Sequence, residues 1–445
     1  MQENIMGTKS MTPLLFSMAL PIMLSMLIQS LYNVVDSIFV AQLGEDALAA
    51  VSLAFPVQQL MIAVSVGTSV GVNAIVSRRL GQRDQEGAER AANSGILLMV
   101  ISWLAFALTG FFGADLFFSI FTQNAQVAEM GAMYLRICMV FGIGQFVEIC
   151  MERLVQATGR SIYQMYSQIT GALTNIILDP IFIFGMFGAP KMGVMGAAAA
   201  TVLGQAAGCL ISIFLNIRFN HELKFSAKKL RLHGESVKAI YQIGVPCIIT
   251  QSISSVMNFG MNKILADFGE IAVSVMGVYF KLQSFIFMPC YGINNALVPI
   301  VSYNYGAGQR ERVLQGIRKG IVMVSVVMAA GTAAFWIFPS GLLKLFGDSE
   351  ELIMAGKPAL QIISLGFLPA GISLVNTALF QGIGRASYSL WVNVVRQILV
   401  LLPLAWIFSR TGTLSVVWWA FLAAELIGVA GSLLACRHVT AQFLK

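Results

Sequence analysis

Apolar residues run along this chain in long stretches, broken by short polar segments. Twelve stretches stand out, at about 13–36, 51–76, 91–112, 131–155, 163–186, 193–219, 238–264, 273–300, 317–340, 357–382, 388–409 and 413–436. Each fits the roughly 20-residue helix that crosses a bilayer. Only helices and closed barrels satisfy their backbone in lipid. Barrel strands alternate over about 10 residues, and these runs are too long and too uniformly apolar for that. The pattern predicts an all-α integral membrane protein with twelve transmembrane helices.

The pattern also repeats. Shifted by 225 positions, Pro21 falls on Pro246, Asn33 on Asn258, Gly44 on Gly269 and Gly67 on Gly292. Gly81 falls on Gly306, Gly95 on Gly320, and Gly159-Arg160 on Gly384-Arg385. One register with these matches predicts two copies of a six-helix bundle. An even number of spans returns the chain to its starting side, so the copies form a parallel repeat. The expected organisation is a first lobe over 1–218, a basic cytoplasmic linker over 219–237 and a second lobe over 238–445. A duplicated membrane bundle points to a transporter whose substrate crosses at the repeat interface.

Composition agrees: 57% of residues are hydrophobic and 11% charged, against about 25% charged in soluble domains. Of the 28 Lys and Arg, only Arg136, Lys191, Lys344, Lys357 and Arg410 fall in the outer segments. Most of the others cluster where the opposite side is expected, including Arg78, Arg79, Arg83, Arg90, Arg218, Lys224, Arg310, Arg312, Arg318 and Lys319. This bias predicts cytoplasmic termini. The net charge of +7 is then an insertion signal and an affinity for anionic lipid, not a nucleic-acid surface. The first apolar stretch is long enough to stay as a span rather than a cleaved leader. The six cysteines are unclustered and read as packing residues. The basic segment over 219–235 reads either as an interfacial helix or as a solvated linker. Prolines inside the spans, among them Pro21, Pro180, Pro246, Pro369 and Pro403, are expected to kink or break helices.

Acids inside spans carry the candidate chemistry. A carboxylate there costs at least about 2.5–3.5 kcal/mol, so each is a functional hypothesis. Asp36, Glu148, Glu152 and Asp179 lie in the first copy and Glu425 in the second. In the repeat register Asp36 meets Met261, Asn175 meets Val400 and Asp179 meets Leu404. A structural polar pair would more naturally persist in both copies, so the asymmetry assigns a task to one. Asn175 and Asp179 are four apart on one helix face. Asp36 lies at similar depth, and the Thr201 hydroxyl could join them. Such oxygen ligands suit a hard cation such as sodium. Two desolvated carboxylates suit a proton equally well. Interhelical hydrogen bonds or caps are the bland alternative. Glu152 reads as a salt-bridge partner of Arg153, while the deeper Glu148 is a candidate for substrate or proton contact. Glu425 could neutralise Lys281 or Arg396, which the sequence alone cannot decide.

Other motifs exclude chemistry. Gly67-Thr68-Ser69-Val70-Gly71 matches the hydrolase elbow G-x-S-x-G, but it lies in a span and every His falls in a cytoplasmic segment. Close helix packing through Gly67 and Gly71 is the better reading. There is no P-loop, no H-E-x-x-H and no Cys/His cluster, so active transport would draw on an ion gradient or a partner.

Several segments resemble the multidrug and toxic compound extrusion (MATE) family over essentially the full length. They are Asn33-Val34-Val35-Asp36-Ser37-Ile38-Phe39-Val40 with Leu43-Gly44, Gln156-Ala157-Thr158-Gly159-Arg160, and Asn175-Ile176-Ile177-Leu178-Asp179-Pro180. In the second copy they are Pro299-Ile300-Val301-Ser302-Tyr303-Asn304-Tyr305-Gly306 and Gln381-Gly382-Ile383-Gly384-Arg385. The resemblance implies a V-shaped two-lobe fold and export of lipophilic, often cationic drugs across the inner (plasma) membrane by alternating access. It implies a coupling cation, H+ or Na+, held at Asp36, Asn175, Asp179 and Thr201, with no other cofactor. Further candidate contacts are Gln29, Asn33, Glu148, Glu152, Asn258, Lys281, Arg396 and Glu425. Some members carry acids in the seventh and tenth spans. Here Asn258 and Asn376 stand there instead, which weakens any second cation site. Expected partners are small-molecule drugs, organic cations and membrane lipid, with no nucleic acid, and a monomer is expected. The rivals are a lipid-linked saccharide flippase, an intramembrane hydrolase on Ser69, and a passive channel. A flippase would need several deep cations for pyrophosphate, and only Lys281 and Arg396 are available.

Overall fold

The computed structural model describes residues 4–224, 230–347 and 349–444, with the side chains of Asn33 and Val34 outside the description. Among the described residues there is no β-strand. The first copy comprises α1 (Ile5–Thr8), α2 (Met11–Ala41), α3 (Glu45–Gly81), α4 (Gln85–Phe121), α5 (Ala125–Val140), α6 (Ile143–Ala157), α7 (Ile162–Phe184) and α8 (Val194–Phe219). The second begins with α9 (Gly234–Ala266), α10 (Glu270–Gly306), α11 (Arg310–Ile337), α12 (Pro339–Lys344), α13 (Glu350–Ser364) and α14 (Phe367–Gly382). It continues as α15 (Ser387–Asn393), a π-helical stretch Val394–Leu401, α16 (Leu402–Ser409), α17 (Leu414–Val417) and α18 (Trp419–Phe443).

Among the described residues, ten helices or composite helices are long and apolar enough to cross a membrane. The pairs α5–α6 and α13–α14, bent by 44° and 48°, bring the number to twelve. The protein is thus a multi-pass, twelve-helix membrane protein. Both of these bends sit at glycine, and the second also falls just before Pro369, in the first turn of α14. Gly142 separates α5 from α6, and a Cβ there would stand 2.5 Å from the Cys138 carbonyl oxygen. Gly366 does the same before α14, where a Cβ would come 3.2 Å from the Ile363 oxygen. A missing Cβ is what lets the chain turn so tightly. Pro21, Pro56, Pro180 and Pro246 lie within continuous helices.

The repeat holds at the level of the backbone. Helices α3 and α10 start and stop 225 positions apart at both ends, as do α7 and the composite Ser387–Ser409. Gly44 and Gly269 precede α3 and α10 with φ of 113° and 99°. Gly159 and Gly384 turn the chain with φ of 82° and 81°. Arg83 adopts φ 60° at the position where the second copy has Gly308 at 71°. The repeat therefore keeps a left-handed residue there even where the glycine is lost, a conformation that costs a side-chain residue about 1–2 kcal/mol.

The chain folds as two compact units. One holds Asn4 and the described part of Leu24–Gly244; the other holds Ile5–Met23 and the described part of Val245–Lys445. Helices α2 and α9 are each divided between the units, after Met23 and after Gly244. Within the first unit Asn4 Nδ2 donates to the Thr158 carbonyl at 3.2 Å and to Glu222 Oε2 at 2.7 Å. Within the second, Asn304 Nδ2 donates to the Met6 carbonyl at 3.1 Å and Arg312 donates to the Lys9 carbonyl at 2.8 Å. The basic segment expected over 219–237 falls partly outside the described residues. Its described residues 220–224 and 230–233 are non-helical, and α9 starts at Gly234.

Each unit is packed through small residues and sheathed in large apolar ones. On α4, Ala107, Gly110, Ala114 and Phe118 are buried, while Phe112, Leu116 and Ile120 are between 65% and 76% exposed. Residues four apart share a helix face, so one face of α4 is packed and the other offers hydrocarbon to lipid. The Gly67–Gly71 stretch lies within α3, with no turn at Ser69. A Cβ at Gly71 would collide with the Ile240 carbonyl, and one at Gly244 would stand 3.1 Å from the Gly67 oxygen. Both glycines serve close packing against α9, as their spacing predicts.

Candidate functional site

In the first unit, α7 positions the candidate cation ligands. Asp179 is fully buried and Asn175 nearly so. Four residues apart, they stack on one face. The Asn175 amide satisfies both its neighbours in one orientation: its nitrogen donates to Asp179 Oδ2 at 3.2 Å and its oxygen accepts from the Thr201 backbone N–H at 3.3 Å. Thr201 thus enters through its backbone. Helix α8 reaches this close because of Gly204, where a Cβ would stand 2.8 Å from the Gly171 oxygen and 3.0 Å from Asn175 Cβ.

Asp36 arrives from α2, half-buried. Its carboxyl is within hydrogen-bonding reach of Asp179, and its Oδ1 is buried without a partner. Two ionised carboxylates would repel at this range. Each stands five residues before the end of its helix, at Ala41 and Phe184. Gln29 is exposed on α2, and the side chain of Asn33 lies outside the described residues.

Sequence reasoning missed the uncharged polar groups around the acids. Tyr32 lies within electrostatic reach of Asp36, Asp179 and Glu148. Gln58 Nε2 donates to the Tyr134 hydroxyl at 3.3 Å and lies 3.7 Å from Cys138 Sγ. The signal for Tyr32 was its place one turn before Asp36.

Glu148 and Glu152 lie one turn apart on α6. Glu148 Oε1 is 3.3 Å from Ser167 Oγ. Glu152 is 4% exposed, accepts from Gln168 Nε2 at 3.0 Å, and keeps Oε1 without a partner. Arg153 donates to Gln156 at 2.9 Å. Gln156 in turn meets Gln164 and accepts from Asn73 at 3.1 Å. Glu152 is thus a buried acid facing α7, and Arg153 acts on it electrostatically.

The second unit has a different polar centre. Arg396 sits in the π-helical stretch and grips Glu425 of α18 with two hydrogen bonds of 2.8 and 2.9 Å from one nitrogen. Its other terminal nitrogen donates to Asn393 Oδ1 at 2.9 Å. This pairs Glu425 with Arg396 and not with Lys281, which is exposed with its ammonium 5.7 Å from the Phe346 ring centre. Asn376 donates to Ser432 at 2.8 Å, and Asn258 keeps a buried Oδ1 unpartnered. Among the described residues, no three His, Cys, Asp or Glu gather closely enough to hold a metal ion.

The MatE family model matches residues 21–181 and again 246–407. The two matches start 225 positions apart, in the register of the repeat. The chain belongs to the MatE family. MatE proteins are transporters, so this chain is a membrane transporter and not an enzyme. It is 24% identical to "Multidrug export protein MepA" of Staphylococcus haemolyticus (strain JCSC1435) over 92% of this chain and 89% of that one. It is 26% identical to "Probable multidrug resistance protein YoeA" of Bacillus subtilis (strain 168) over 96% of this chain and 95% of that one. The structure described as "Crystal structure of MATE in complex with MaL6" superimposes with a TM-score of 0.92 at 25% identity, covering 99% of both chains. Among the described residues, the acids that the sequence places in spans fall unevenly: Asp36, Glu148, Glu152 and Asp179 in the first unit, and the ion-paired Glu425 in the second.

Proposed function

We propose that this MatE protein is a secondary active multidrug efflux antiporter of the cell's inner membrane, with both termini cytoplasmic. It exports lipophilic, cationic compounds in exchange for H+ or Na+ by alternating access. The meeting of Asp36 and Asp179 supports this reading most strongly. A carboxyl pair inside an apolar bundle holds a monovalent cation when loaded and repels itself when empty, so its occupancy changes how α2 and α7 pack. An ion drives transport only by binding one state better than another, and a pair with this dependence supplies such a difference. Asn175 holds Asp179 in place, and Gly204 lets α8 complete the site.

The substrate class comes from the relatives named for multidrug export. The chain's 23 Met and 30 Phe offer adaptable apolar surface for varied ligands. A flippase for lipid-linked saccharides would need free cations for pyrophosphate, whereas Arg396 spends its charge on Glu425. The test is accumulation of a fluorescent organic cation by proteoliposomes, with sodium and pH gradients imposed separately. Uphill movement driven by either gradient supports the antiporter. Movement only down the compound's own gradient would mean a passive pore.

A further inference from the structure

The polar groups of the first unit do not stop at Asp36 and Asp179. Along α7 they recur at each turn as Asp179, Asn175, Ser167 with Gln168, and Gln164, with Gly171 filling the one gap. That stripe covers about 22 Å of helix at 1.5 Å per residue, most of the thickness of a bilayer core. Helix α6 lays Glu148 and Glu152 against it.

The packing makes room for Glu148. A Cβ at Gly208 would collide with the Glu148 carboxylate, and one at Gly171 would lie 3.6 Å from Oε1. Two glycines on two helices therefore form the recess that admits this acid. Ser167 Oγ has one proton and two acceptors in reach, the Gly208 carbonyl at 2.7 Å and Glu148 Oε1 at 3.3 Å. With that proton on the nearer carbonyl, the serine oxygen is free to accept from a protonated Glu148 carboxyl. Facing Glu148 are Ser167 of α7, Cys209 of α8, Tyr32 of α2 and Glu152 of its own helix. Among the described residues no cation faces it. Facing Glu152 are Gln164 and Gln168 of α7, and Glu148 and Arg153 of α6. Its buried Oε1 lacks a partner, which leaves a site for a mobile proton or water.

We propose that Glu148 and Glu152 form a second proton-binding pair, and that the coupling ion is a proton leaving Asp36/Asp179 through it. This rests on the cation-coupled reading above. A proton departs the outer pair, binds the Glu148 carboxylate past Tyr32, moves to Glu152, and is released to water at the inner ends of α6 and α7. Each carboxylate returns to its anionic form, and no bond other than O–H is made or broken.

The test uses proteoliposomes of the full chain with a pH-sensitive dye inside and a fluorescent organic cation as substrate. In wild type, an imposed pH gradient should drive the organic cation, with protons moving oppositely. Glu148→Gln and Glu152→Gln should each lose tenfold or more of proton counterflow, while one-for-one exchange of the organic cation persists at equal pH. Glu148→Asp should recover part of the loss. Gly208→Ala, which keeps the carboxylate but displaces it, should slow counterflow too. Full proton counterflow in both Gln variants would overturn the relay. A wild type driven by sodium alone would overturn the proton while leaving the antiporter, and one driven by neither gradient would overturn the antiporter itself.

Discussion

Asp36 and Asp179 come from helices α2 and α7, and their carboxyls meet where Asn175 holds one of them. Only one unit of the repeat has this arrangement, since the second copy places Met261 and Leu404 at the matching positions. Asn175→Ala should leave Asp179 without its amide donor. An unsatisfied buried group costs about 1–3 kcal/mol, on the order of a five- to hundredfold change in an equilibrium. That donor stabilises the ionised carboxylate, so its loss favours the proton-loaded site: the proton concentration giving half-maximal gradient-driven transport should fall by that range, read from transport rates at stepped pH.

Gly204 should tolerate nothing larger. A Cβ there presses on the Gly171 oxygen and Asn175 Cβ at 2.8 and 3.0 Å. Gly204→Leu forces α7 and α8 apart, an overpacking worth about 1–3 kcal/mol. Thermal unfolding of the detergent-solubilised protein should show the loss, together with loss of ion-coupled transport.

The Arg396–Glu425 pair should be structural. Both side chains are about four-fifths buried, so breaking the pair leaves a charge with poor access to water. Glu425→Gln alone should cost about 2–4 kcal/mol, a buried-pair value reduced for partial exposure. The double variant Arg396→Met with Glu425→Leu should recover much of it. A double-mutant cycle on unfolding midpoints measures the coupling; independent, additive effects would count against a working pair.

Glu222 gives a pH signature outside the spans. Burial raises its pKa above the ordinary glutamate value, and the Asn4 amide and Arg160 offset this in part. A raised folded-state pKa means the folded protein holds a proton that the unfolded chain releases. Its stability contribution is therefore full below the unfolded value of about 4.3 and is lost as pH rises through the folded one. Glu222→Gln cannot ionise and should flatten that fall. Unfolding midpoints of both proteins across this range provide the check.

The sequence revealed the acids of the site because a carboxylate in an apolar run is costly and conspicuous. It also placed Asn175 through its spacing from Asp179. Tyr32, Ser167, Gln164 and Gln168 stayed hidden because uncharged polar groups in a span carry little insertion cost and do not stand out. The choice of Arg396 over Lys281 for Glu425 depends on where the π-helical stretch points the guanidinium, which spacing alone does not encode. The bend at Gly142 has no proline beside it and stayed hidden, whereas Pro369, expected to break its helix, stands in the first turn after the bend at Gly366. The repeat itself was legible down to matching ends of α3 and α10, since turn glycines at Gly44 and Gly269 fix where those helices begin.

The most direct measurement of the central claim is gradient-driven accumulation by Asp36→Asn and Asp179→Asn in proteoliposomes, beside organic-cation exchange in the absence of any gradient. The cation pair predicts that both variants lose gradient-driven accumulation, at least a hundredfold below wild type. Full coupled accumulation in both would contradict it.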